Sequence, residues 1–199
     1  MAVPARAQVF DSGGADYEPP EPERRYGFAF GLSYGAGYGS ALGYPNKLGE
    51  IDNPEFEQSV GGFAVASQIW VGGTLRDWFT FGLGLSSRVA QEGEIQAQNG
   101  AFVVHMEGFP LWSLGGEWRD LGLMMETGAG GAIIADQDQE VLADGGAMSV
   151  LGFGAFYEPW QLWHFSFGPG VAYHYEFSQS LSSHVVTAGF RTAFYGVQP

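Results

Sequence analysis

The chain contains no cysteine, which excludes disulfides, thiolate metal sites and cysteine nucleophiles. It is also poor in positive charge: eight Lys and Arg stand against 22 Asp and Glu, for a net charge of −14. Affinity for nucleic acid comes from clustered Lys and Arg facing phosphate, so this balance argues against a nucleic-acid partner. Long apolar runs are missing too. No stretch approaches the ~18 consecutive apolar residues of a membrane helix, which excludes a helical span but not one made of strands.

What the chain does have is an unusual pairing of 32 glycines with six Trp, nine Tyr and 16 Phe. A disordered chain buries too little apolar surface to offset its ordering entropy, whereas here large apolar residues and glycines interleave in regular order. At 199 residues the chain is long enough for one domain and does not ask for two.

From Tyr26 onward the period is two, the spacing that sends alternate side chains to opposite faces of a strand. In the first run Tyr26, Phe28, Phe30, Leu32, Tyr34 and Tyr38 share one face, and Gly27, Gly31, Ser33, Gly35, Gly37 and Gly39 the other. Seven more runs follow, centred on Phe63 to Val71, Phe79 to Val89, Phe102 to Trp112, Leu121 to Ile133, Leu151 to Tyr157, Phe165 to Phe177 and Val186 to Phe194. In the seventh, Pro169 predicts a bulge. Eight alternating runs predict an all-β, eight-stranded antiparallel up-and-down barrel over residues 26–199.

Which face lies inside follows from composition. The second face is mostly Gly, Ala and Ser, a poor aqueous surface but suited to the inside of a narrow closed sheet. The aromatic face must then meet lipid, and closure pairs every backbone amide in the hydrocarbon layer.

Three asymmetries orient the barrel. The first, third and fifth connections read as long, the third at about ten residues, and the second as short, which places the odd connections outside and both ends in the periplasm. Trp70 and Trp78 flank the second connection, Trp112 and Trp118 the fourth, and Trp160 and Trp163 the sixth. Indole favours the membrane interface, so the six predict an aromatic girdle at the periplasmic boundary. Acid collects at the opposite end, as Glu50, Asp52, Glu55, Glu57, Glu92, Glu94, Asp136, Asp138, Glu140 and Asp144. Such a rim admits divalent cations or basic ligands, or is simply a solvated surface.

Ahead of the barrel, Ala5-Arg6-Ala7 has the small-x-small form of a signal-peptidase site without the basic and apolar regions that precede one. It reads either as the remnant of a truncated export signal or as an ordinary alanine-rich start. The Pro- and acid-rich segment from Asp11 to Arg25 predicts a disordered periplasmic leader.

In strand number, alternation, loop asymmetry and placement of tryptophan, residues 26–196 resemble the small bacterial outer-membrane β-barrels, the OmpA-like transmembrane domain and OmpX-type proteins. The resemblance implies a monomer in the Gram-negative outer membrane, surrounded by its lipid and without a cofactor. Members commonly carry an aromatic at or near the last residue as an assembly signal. Here Phe194 and Tyr195 are followed by Gly196, Val197, Gln198 and Pro199.

Parity places Arg88, His105, Glu107, Glu126, His174, Glu176 and Arg191 on the lumen side, where buried charges need partners. They predict a polar network plugging the barrel, the competing reading being a glycine-lined lumen that holds water or a ligand. His164, Ser166 and Glu176 offer a base, a hydroxyl and an acid on one strand, similar in spacing to barrel lipid A deacylases. Their separation along the strand argues against contact. Asp136, Asp138 and Glu140 could clasp calcium but lack EF-hand spacing. The expectation is a non-enzymatic barrel with a structural or surface-interaction role, then a narrow channel or small-ligand transporter, and third a lipid-modifying hydrolase.

Overall fold

The computed structural model describes residues 24–196, so the candidate cleavage site and all but the last two residues of the leader lie outside the described residues. Eight long strands form one antiparallel sheet: β1 (Tyr26–Gly43), β2 (Gln58–Arg76), β3 (Phe79–Glu92), β4 (Ile95–Gly108), β5 (Leu121–Ala135), β7 (Met148–Tyr157), β9 (Phe165–Phe177) and β10 (Leu181–Gly196). Two short pieces, β6 (Val141–Asp144) and β8 (Trp160–Leu162), extend β5 and β9 at opposite ends. Each long strand pairs with its sequence neighbours, and β10 closes on β1 from Tyr26–Gly196 to Gly43–Leu181. The result is a closed eight-stranded antiparallel barrel without a free edge along its wall.

The aromatic face points outward. Phe28, Leu32, Tyr34, Phe81, Leu83, Leu85, Phe153 and Phe190 are all exposed, while Thr80, Gly82, Gly84, Ser86 and Arg88, alternating with them on β3, are buried. At about 3.3 Å per residue, the 18 and 19 residues of β1 and β2 run for roughly 60 Å. Tilted by ~40°, they stand ~45 Å tall, more than an apolar band of ~25 Å requires. The barrel wall therefore extends past the band.

That extension changes the connections. The third, expected at about ten residues, is the two-residue turn Gly93-Glu94, because Gln91, Gln96 and Gln98 remain in the β3–β4 ladder. Strand pairing above the band needs no apolar alternation, so these polar residues read as loop. The fourth connection (109–120) carries two 3-10 turns, Trp112–Leu114 and Gly116–Asp120, and is as long as the fifth (136–147). Length alone therefore does not separate the two ends. Pro169 makes no bulge: β9 keeps its register with β10 through Pro169–Phe190, just past Phe156–Gly170, where the β7–β9 ladder ends.

The interior is filled in layers. Toward the acidic end Ala41, Val60, Ala64, Ala90, Ala97, Ala132, Ile134, Met148, Leu181 and Val185 form an apolar cluster. The middle is polar. Toward the end that holds both termini of the barrel, Ala29, Trp70, Phe109, Phe156, Ala193 and Tyr195 form a second cluster.

Trp70 is a correction to the girdle. It is 3 % exposed and stacks on His105 inside the barrel, with ring centroids 4.9 Å apart. Its even position on β2 puts it on the lumen face beside Val60, Ala64 and Gln68, and that parity overrides its nearness to a turn. Trp78, Trp112, Trp118, Trp160 and Trp163 are exposed at the same end of the barrel.

Candidate functional site

Six strands contribute to a buried polar network along the lumen. Glu126 on β5 lies at its centre, accepting hydrogen bonds from His174 Nε2 at 3.2 Å and from the Gln68 side chain. Its Oε1 is 2.6 Å from His105 Nδ1 on β4, and its Oε2 is 3.9 Å from Arg88 Nη2 on β3. Arg88 reaches across to pair with Glu176 on β9, which also accepts from Asn99 Nδ2 at 2.6 Å. From His105 the network continues through Nε2 to Glu107 at 2.7 Å, and Glu107 is 2.8 Å from Arg191 Nη1 on β10.

Arg191 lies 2.9 Å from Glu158, which follows the end of β7, and its guanidinium sits 3.6 Å above the Phe156 ring. Tyr195 donates toward both Glu107 and Glu158 at 3.3 to 3.4 Å. The structure thus places Arg88, His105, Glu107, Glu126, His174, Glu176 and Arg191 on the inner face, all buried and all within one chain of contacts. The physical reason is alternation: each falls on the face that carries glycine and alanine elsewhere along its strand.

The network does not end at the strands. Arg25, one residue before β1 and 1 % exposed, packs its guanidinium 3.5 Å from the Phe109 ring. Its Nη2 is 2.8 Å from Asp120 and 3.8 Å from Glu158, and its Nη1 is 3.6 Å from Asp77. These three carboxylates come from the three connections at that end of the barrel. Asp77 also pairs with Arg119, and Asp120 with Arg24 at 2.5 Å. One arginine therefore ties all three turns across the mouth.

Arg25, Asp77, Arg119 and Asp120 are not visible to strand parity, because each lies outside a strand, where a charge reads as solvated, whereas Glu158 continues the inward parity of Gly152 and Gly154 just past β7. Gln68 and Asn99 carry the parity of the inner face but no charge to draw attention.

The inner glycines do not leave an open bore. A Cβ on Gly31 would lie 2.4 Å from the Trp70 indole, and one on Gly122 would lie 2.1 Å from the Phe156 ring. At these positions glycine makes room for a large side chain from the neighbouring strand.

The other candidate constellations are not assembled. His164 lies in the turn before β9, exposed, its ring edge-on to Phe194 at 5.7 Å, because the inward parity of β9 begins only at Ser166. Glu176, ten positions along β9 from Ser166, is held by Arg88 and Asn99. In the Asp136 to Glu140 turn the Asp136 carboxylate accepts the Glu140 backbone N–H at 2.9 Å. Among the described residues no group of three or more His, Cys, Asp and Glu is arranged to hold a metal ion.

No family model matches the sequence, and no curated protein does. Solved structures match in fold. Ail, the attachment invasion locus protein of Yersinia pestis, is 15% identical with a TM-score of 0.43, the match covering 85% of this chain and 99% of that one. Neisserial surface protein A is 11% identical with a TM-score of 0.46, covering 82% and 97%. The outer membrane protein OprG of Pseudomonas aeruginosa is 11% identical with a TM-score of 0.42, covering 86% and 98%. The likeness is one of fold, and the closed eight-stranded barrel rests on this chain's own strand ladder.

Proposed function

We propose that this chain is an integral β-barrel of the bacterial outer membrane that works as a closed body, in a structural or surface-interaction role, and not as a pore or an enzyme. The observation that carries the reading is the occupied lumen: an apolar cluster, a continuous polar network and an aromatic layer follow one another along the axis. Outside, a band of exposed aromatic and aliphatic side chains suits lipid and leaves the protein no other apolar partner.

On this reading the interaction surface is the acidic rim. The ten carboxylates from Glu50 to Asp144 sit at one end, where among the described residues Lys47 is the single Lys or Arg, 3.8 Å from Glu50. A basic ligand or divalent cations suit such a field, while the opposite end, with five exposed tryptophans, would lie at the periplasmic boundary. Purified protein in a planar lipid bilayer tests the closed state. A flat current trace is expected, and discrete, repeated openings would overturn the reading in favour of transport. Unchanged lipid A after overexpression is the matching expectation for a barrel without hydrolase activity.

A further inference from the structure

Between the central ion pairs and the wall formed by β1, β9 and β10, the lumen contains a cavity of about 60 Å³. That is room for on the order of four water-sized groups. Arg88, His174, Arg191, Gln68, Ser33 and Thr187 line it, and among the described residues no Asp or Glu does. The carboxylates paired with these cations, Glu107, Glu126, Glu158 and Glu176, are not among the residues that line the cavity.

The donors facing this space are not all used. Among the described residues, Arg88 Nε and Nη2 have no hydrogen-bond partner, although the residue is buried. A guanidinium N–H can only donate, and leaving one unpaired away from water is costly, so the missing partner is an acceptor. Ala172 and Gly170 on the adjacent wall send little side chain into the space, and Met124 and Phe156 give it an apolar side.

We propose that this cavity is a binding site for a small monovalent anion of halide or short-carboxylate size, held by the Arg88 guanidinium together with the hydroxyls of Ser33 and Thr187. The Arg88 guanidinium, already paired with Glu176, presents N–H groups without presenting a bare charge, which suits a compact acceptor. The apolar cluster closes one end of the lumen and Arg25 the other, so the site fills as the barrel closes. The proposal does not depend on what the acidic rim does.

The test is to refold the full chain into detergent micelles in sodium bromide and to collect anomalous diffraction at the bromine edge. An anomalous peak in the lumen within contact of the Arg88 guanidinium nitrogens is expected. Density for water alone, with no anomalous signal, would overturn the proposal. Ala172→Leu fills the cavity without removing a charge and should abolish the peak; a peak that survives it would also overturn the site. Arg88→Gln removes the donors and should weaken bromide binding at least tenfold. If that variant does not fold, Ala172→Leu still decides the matter.

Discussion

Gly31 and Trp70 are direct partners across the β1–β2 ladder, both facing the lumen, and the indole occupies the space that a side chain on Gly31 would need. Trp70 in turn stacks on His105, which joins Glu126 to Glu107. A glycine on the wall thus sets the position of an aromatic that walls the polar network. Replacing Gly31 with Ala forces the indole off its seat, and overpacking of this kind costs about 1–3 kcal/mol. Urea unfolding in detergent, followed by tryptophan fluorescence, should show the midpoint falling. An unchanged midpoint would mean that the indole has another place to go.

Arg25 gathers Asp77, Asp120 and Glu158 across one mouth of the barrel. Arg25→Ala leaves Asp77, Asp120 and Glu158 with one cation each, Arg119, Arg24 and Arg191, so the loss should stay below the about 3–5 kcal/mol of an orphaned buried charge. Because the chain has no cysteine, a single reporter at Ala29→Cys, buried just inside that mouth, reads its closure directly. Thiol labelling should be slow beside Arg25 and rise at least tenfold in the Arg25→Ala background.

Position within the barrel should decide the effect of losing a carboxylate. Glu126→Gln keeps the shape but removes the charge facing Arg88, His105 and His174, with an expected cost of about 3 kcal/mol or more. Glu57→Gln, on the exposed rim, should change stability by no more than about 0.5 kcal/mol. Denaturant titrations of both variants check the contrast.

Tyr44, in the first connection, donates its hydroxyl to Glu57 at 2.9 Å. That hydrogen bond, with the nearby negative charge, raises the Tyr44 pKa above the ordinary value near 10. For a group whose pKa rises on folding, the contact is intact below the unfolded value and is lost as pH climbs through the folded one. Ultraviolet difference titration of wild type against Tyr44→Phe should therefore place the missing phenolate step above pH 10. Glu57→Gln should bring it back down.

Alternation of large and small residues made the wall legible, since a period of two is imposed by the strand itself. It also placed the seven charged lumen residues, because each of them sits within a strand. Two features mask the rest. Nearness to a turn makes Trp70 look interfacial, although its even position on β2 puts it inside. Gln91, Gln96 and Gln98 look like loop because a strand that has left the bilayer no longer alternates apolar with polar. Arg25, Asp77 and Asp120 carry no sequence signal of burial, while Glu158 continues the inward parity of Gly152 and Gly154. They meet only because three connections and the start of β1 converge on one mouth, a relationship that belongs to the closed barrel and to no single segment.

The account stands on the outward apolar face meeting hydrocarbon. Spin labels at single cysteines replacing Leu83, Leu85 and Gln91, all outward on β3, measure this in reconstituted vesicles. Labels at Leu83 and Leu85 should be reached by oxygen and shielded from a water-soluble nickel reagent, with the reverse at Gln91. Equal access of the nickel reagent at all three positions would contradict the account.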